Sequence, residues 1–176
     1  MTFLLQSVEY PVNVGSIFRI ADGCAAEEVI LCGITPTPPH PTIAKVARGK
    51  EQQVAWRYVP EAAAALAELR GEGFRICALE LTDQAVPYFA YEPPQQVCLV
   101  VGHEDHGVTR ATLALCDDAV FVPMYGKGRS LNVHVSLAIV AYHILHASSP
   151  VGAIPGGRPL GQAQDLPLHK DAETDD

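Results

Sequence analysis

Residues 96–123 read "QVCLVVGHEDHGVTRATLALCDDAVFVP". A continuous apolar run ends at Gly102 and gives way to a polar loop. Thr109 then opens a short helical stretch, "TRATLALC", and a second apolar run, "AVFVP", follows. Apolar runs without polar alternation suit strands buried on both faces, and a helix between two of them is the crossover that joins parallel strands. The same rhythm extends upstream. "FLLQSV" reads as a short strand, and "YPVNVGSIFRIADGCAA" as a loop and then a helix, with Asn13 as its cap and Ile17, Ile20, Ala21 and Cys24 on one side. "EEVILCG" is a buried-type strand and "ITPTPPHPT" a stiff loop with four prolines. "VAWRYV" is a third strand, "PEAAAALAELRGEG" a helix with Pro60 in its first turn, and "FRICALEL" a fourth strand. Residues 130–146 form a last, very apolar helix capped by Ser130. The expected fold is α/β: a mostly parallel sheet with helices on both faces. Strand order is not legible at this level.

The composition sets limits. A chain of 176 residues with 48% hydrophobic residues affords one aliphatic core, since aromatics make up only 7%. No apolar stretch reaches the roughly 20 residues that span a bilayer, and "MTFLLQSVEYP" lacks a basic leader, so a soluble cytoplasmic protein is expected. The five cysteines form no C-x-x-C pair and three lie in strand-like runs, which points to buried reduced thiols. The net charge of −8 argues against a purely electrostatic nucleic-acid binder. Much of that charge lies beyond Gly161, in a polar stretch without periodicity; residues 151–176 read as a disordered acidic tail behind a domain of residues 1–150. Lys45, Arg48, Lys50 and Arg57 form a basic segment against the single acid Glu51.

In parallel sheets, ligands settle beyond the carboxyl ends of the strands. Three glycine-containing polar stretches fall there. In "NVGSIFR", Asn13 and Arg19 flank Gly15. In "VVGHEDHGV", Gly102 suits either the close approach of a ligand to the backbone or a left-handed turn. His103, Glu104, Asp105 and His106 are metal-ligand types, but consecutive loop residues rarely converge on one ion, so no metal is expected. In "VPMYGKGRSLNVHV", Ser130 and Asn132 place hydroxyl and amide groups at the positive end of the last helix. By helical angle, His134 falls opposite the polar stripe of Asn132, Ser136, His143 and His146, towards a subunit contact. There is no G-x-G-x-x-G, P-loop or G-x-S-x-G, and the missing glycine fingerprint excludes a Rossmann dehydrogenase. From the residues alone, the reaction stays open.

The three stretches, in this order, resemble the SpoU/TrmH family of RNA 2′-O-ribose methyltransferases within the SPOUT superfamily. "NVGSIFRIADGCAAEEVILCG", "LVVGHEDHGV" and "VPMYGKGRSLNVHVSLAI" are similar to its three motifs, and the resemblance covers residues 3–146. His103 and Asp105 stand where serine and glycine are usual, and His134 where a small serine is common. The resemblance implies a C-terminal trefoil knot, S-adenosylmethionine bent within it, and a homodimer with each site near the subunit interface. It implies methyl transfer to tRNA or rRNA, with cofactor positions Leu79, Gly102, Val122, Met124, Ser130 and Leu131. The matching catalytic positions are Asn13, Arg19, Glu104, Ser130 and Asn132. Within that scheme Arg19 binds a phosphate and polarises the hydroxyl, and Glu104 or a phosphate oxygen takes or orients the proton. Lys45, Arg48 and Lys50 are the candidate RNA-backbone contacts. The alternative is a catalytically silent RNA-binding or cofactor-sensing protein of the same fold.

Overall fold

The computed structural model describes residues 1–128 and 130–148; the acidic stretch 151–176 lies outside the described residues. The strands are β1 (Thr2–Gln6), β2 (Glu28–Cys32), β3 (Trp56–Val59), β4 (Arg75–Leu79), β5 (Val86–Pro87), β6 (Val97–Val101) and β7 (Asp118–Phe121). They form one sheet in the order β3-β2-β1-β6-β4-β7-β5, and every pairing is parallel. The helices are α1 (Pro11–Gly23), α2 (Pro41–Ala47), α3 (Ala62–Gly71), α4 (Arg110–Leu113) and α5 (Val133–Ser148). None of the described helices is long and apolar enough to cross a membrane.

The two-residue period of a strand explains how the core divides. Phe3 and Leu5 of β1 and Val97, Leu99 and Val101 of β6 point to one face, where Ile17 and Phe18 of α1, Ile43 of α2 and Leu137 and Val140 of α5 cover them. Leu4, Cys98 and Val100 point to the other face, against Ala65, Leu66 and Leu69 of α3 and Leu113 of α4. Helices therefore cover both faces, as the unbroken apolar runs require.

Several local boundaries differ from expectation. Helix α1 begins at Pro11, because proline's fixed φ suits the first helical position and its missing N–H is not needed there. Asn13 is therefore inside the helix and caps nothing; Tyr10 holds the cap position without a side-chain bond. The proline-rich loop ends in α2, whose cap is His40: its Nδ1 accepts from Thr42 N–H at 3.2 Å. Helix α3 begins two residues after Pro60. Thr109 caps α4 as expected, accepting from Thr112 N–H at 3.3 Å. Helix α5 begins at Val133, so Ser130 precedes it by three residues and does not cap it. Asn132 does, its Oδ1 accepting from His134 N–H at 3.2 Å.

Candidate functional site

Strands β1 and β6 lie side by side at the centre of the sheet. The chain leaves β1 for α1 on one face and β6 for α4 on the other. Loops that diverge from neighbouring parallel strands open a crevice at their carboxyl ends. A cleft of about 510 Å³ lies on the other side of β6, past the ends of β6, β4 and β7 and against the start of α5. Its lining includes Leu79, Gly102, Val122, Met124, Ser130 and Leu131, and also Glu104. The structure thus gathers all six residues expected around a cofactor. Arg19, Asn13 and Asn132 are not among its lining residues.

The floor of the cleft is a tight turn. His103 N–H donates to Gly107 C=O at 3.2 Å, and Gly107 N–H donates back to His103 C=O at 2.8 Å. The turn folds onto Gly102: a Cβ added there would lie 2.1 Å from the Gly107 carbonyl carbon and 2.3 Å from Val108 N. Gly102 is thus required by the protein's own returning backbone, and the left-handed residue of the turn is Gly107, at φ +65°. Glu80, directly after β4, props the turn. Its carboxylate accepts from Val108 N–H at 2.9 Å and Leu81 N–H at 3.1 Å, and it fills the space a side chain at Gly107 would need. The sequence reading missed Glu80; its one signal was an acid directly after the apolar run of "FRICALEL".

Glu104 ties the turn to the loop after β1. Oε2 accepts from Glu9 N–H at 2.9 Å; Oε1 accepts from the Asn13 amide at 2.6 Å and from Tyr10 N–H at 3.2 Å. Burial alone would raise its pKa, but these donors outweigh burial and hold it below the ordinary carboxylate value. A second tie runs beside it, from His103 Nε2 to Glu9 Oε2 at 3.2 Å. Asn13 is buried, and its Oδ1 lies 3.0 Å from His134 Nδ1. His134 therefore contacts α1 of its own chain, where helical angles had pointed it towards a second subunit. Burial holds its pKa below the ordinary histidine value.

Arg19 stands on the exposed face of α1 with no hydrogen bond or ion pair to any described residue. In the basic segment, Lys50 is partly neutralised by Asp22 at 3.1 Å. Arg57 is engaged by Glu28 and Glu68. Arg48 is the left-handed cap of α2, and Lys45 lies in the last turn of α2. All five cysteines are free, four of them buried. Desolvation raises the thiols of Cys24 and Cys116 to about 11 and those of Cys32 and Cys77 to about 12, which leaves them unreactive. The described residues contain no cluster suited to a metal ion.

The SpoU rRNA Methylase family model matches residues 1–142. The chain is 33% identical over 142 residues to the tRNA (guanosine(18)-2′-O)-methyltransferase of Escherichia coli K12, covering 81% of this chain and 61% of that enzyme. A solved structure described as an RNA 2′-O ribose methyltransferase superposes with a TM-score of 0.76 at 26% identity, over 84% of this chain and 56% of the other. The AdoMet-bound rRNA methyltransferase of Sinorhizobium meliloti has the same fold, with a TM-score of 0.78 at 22% identity over 85% and 57%. The chain spans about three fifths of the length of the curated relatives it matches.

Proposed function

This chain belongs to the SpoU rRNA Methylase family, and we propose that it is an RNA 2′-O-ribose methyltransferase acting on tRNA or rRNA with S-adenosylmethionine as methyl donor. One observation carries this: three stretches 20 or more residues apart in sequence (Leu79, Gly102, Val122 to Leu131) meet in one cleft beyond the carboxyl ends of β4, β6 and β7. The donor set fits the cofactor. Leu79, Val122, Met124 and Leu131 offer apolar walls to an adenine ring, and strand-end backbone beside Gly102 offers hydrogen bonds. The family's trefoil knot would involve the segment from β6 through α5. When bound, the cofactor supplies an electrophilic methyl on a sulfonium. The chain's own residues then align the ribose and exclude water. Ser130 and Leu131 frame the mouth, and Asn132 holds the first turn of α5 in place. Asn13 and Glu104 lock the loops after β1 and β6 together. Arg19, a fork of fixed charge, binds the adjoining phosphate.

The test is transfer of labelled methyl from S-adenosylmethionine to unmodified tRNA and rRNA transcripts, with the product identified as a 2′-O-methyl nucleotide. Cofactor or RNA binding without transfer would instead establish the silent-binder alternative.

The protein acts as a homodimer in this proposal. Val12 of α1, the helix that also carries Arg19, and Val135 and Tyr142 of α5 are exposed apolar residues that a second copy would cover. Arg19 would then serve the partner's cleft. Arg19→Lys and Glu104→Gln subunits, each inactive alone, should regain about a quarter of wild-type activity after mixing and exchange, because half the dimers then hold one intact site. No recovery would place Arg19 and Glu104 in the same site of one subunit.

Lys45, Arg48 and Lys50 are proposed to contact the RNA backbone, with Lys50 contributing least because Asp22 already pairs with it. Replacing all three with alanine should reduce the slope of log affinity against log salt by about 1–2. An unchanged slope removes this segment from the RNA path.

A further inference from the structure

The chain passes from β7 to α5 through residues 122–132, and that loop carries an aromatic side chain that the fold leaves uncovered. Tyr125 is 90% exposed, the most exposed of the large hydrophobic residues described. Its ring makes no hydrogen bond or ring contact with any described residue. Single exposed apolar residues are ordinary on a protein surface, so position decides what this one is for. Met124 before it and Ser130 after it both line the cleft. A Cβ added at Gly128 would lie 3.5 Å from the terminal methyl of Met124, so the loop folds back over that residue and its tip stands at the cleft mouth. A Cβ added at Gly126 would meet nothing within 4 Å, so open space surrounds the tip. Lys127, two residues on, is exposed and has no acid partner among the described residues. Leu81, after the neighbouring strand β4, lines the same cleft and is exposed too.

An uncovered ring beside a free cation suits one class of ligand. Every nucleobase has a flat face that stacks on an aromatic side chain, and the phosphate that follows it attracts a lysine. We propose that Tyr125 is the stacking platform for an unpaired RNA base at the mouth of the cleft, with Lys127 on an adjoining phosphate. This role rests on the RNA-directed function proposed above and names the form of the substrate: a nucleotide splayed out of its helix, because a base stacked within a duplex shows no free face. Stacking also meets the difficulty set by charge. At a net charge of −8 the chain gains little overall attraction for a polyanion, and stacking is indifferent to net charge. A protein partner fits the loop less well. Interface cores gather apolar side chains and are depleted in lysine, whereas Gly126, Lys127 and Gly128 give the ring no apolar neighbours.

The test is the affinity of the full chain for unmodified tRNA and rRNA transcripts, read by fluorescence anisotropy. Tyr125→Ala should weaken RNA binding about 10- to 100-fold, with affinity for S-adenosylmethionine within about threefold of wild type. Tyr125→Phe and Tyr125→Trp should keep RNA affinity within about threefold, and Tyr125→Leu, apolar but without a π face, should not. The loss in Tyr125→Ala should be the same at low and high salt, whereas Lys127→Ala should reduce the slope of log affinity against log salt by about 0.7–0.9. Phe89, an exposed aromatic after β5 and outside the cleft lining, is the control, and Phe89→Ala should bind RNA as wild type does. Tyr125→Ala or Tyr125→Leu within about threefold of wild type overturns the proposal, as do Tyr125→Phe and Tyr125→Trp proteins as weak as Tyr125→Ala. A Tyr125→Ala protein that loses RNA together with a change of oligomeric state in sedimentation also overturns it, because the ring then faces a second copy. Wild type that binds RNA without methylating it refutes the enzymatic function alone, since the same variants still read the stacking; wild type that binds no RNA overturns both.

Discussion

Gly102→Ala is expected to lower affinity for S-adenosylmethionine about 100-fold and the melting temperature by about 3–10 °C. The added Cβ would meet backbone atoms of Gly107 and Val108 at 2.1–2.3 Å, and backbone has no rotamer with which to retreat. Overfilling of this kind costs roughly 1–3 kcal/mol when the surroundings shift to relieve it. Here what shifts is the turn itself, pinned by the paired His103–Gly107 bonds and by Glu80. That turn is the cleft floor, so about 3 kcal/mol spent restoring it on binding amounts to the hundredfold. For a chain of this size the same energy moves the melting point by several degrees. Gly126→Ala is the matched control, since a Cβ there meets nothing within 4 Å. Calorimetric titration with the cofactor, beside thermal melts, reads both effects. Affinity within threefold of wild type for Gly102→Ala would mean that the turn is not part of the cofactor site.

Glu104→Gln should lower turnover by about 10²–10³-fold, comparable to the loss of a donor that positions reacting groups. The glutamine oxygen can accept two of the three N–H groups, but its NH2 must then face a third donor. Replacing a charged acceptor in this way costs about 1–3 kcal/mol of stability. The acid response supplies a second readout. The folded pKa of Glu104 is depressed, so between the folded and unfolded values the unfolded chain binds more protons, and stability rises with pH there. Wild type should therefore lose stability as the pH falls below the ordinary carboxylate value of 4.5 towards the lower folded value. Glu104→Gln should be less stable at neutrality and lack that part of the acid slope. Parallel stability curves for the two proteins across acid pH would show that the carboxylate's charge is not what the loops depend on.

Helix starts show where local patterns are reliable. Thr109 caps α4 as its chemistry suggests. Asn13 and Ser130 have equal chemical claim to be caps, and neither is one: Pro11 sets the start of α1, and Asn132 takes the cap of α5. Cap propensity differs among such residues by about 1 kcal/mol or less, and a nearby proline or a better tertiary bond outweighs it. His134 illustrates the same limit. The helical period gave its angle on α5 but not what lies at that angle, and α1 of the same chain brings Asn13 there.

The alternation of unbroken apolar runs with helical segments determined by itself that this chain forms a parallel α/β sheet covered on both faces. The resemblance to a known family, and not periodicity, singled out Leu79, Gly102, Val122, Met124, Ser130 and Leu131 as candidate cofactor positions, and these six line one cleft. The strand and helix pattern is legible because burial and periodicity act over a few neighbouring residues. Strand order, the Gly102–Gly107 backbone contact, the Glu80 prop and the Glu104–Asn13–His134 chain were decided only by the tertiary structure. The Glu80 prop and the Glu104–Asn13–His134 chain join groups that crossovers of the sheet bring together, up to 121 residues apart, and the Gly102–Gly107 contact depends on how one tight turn closes. Whether a polar side chain serves as cap or anchor depends on the partner it meets there, which no local pattern encodes.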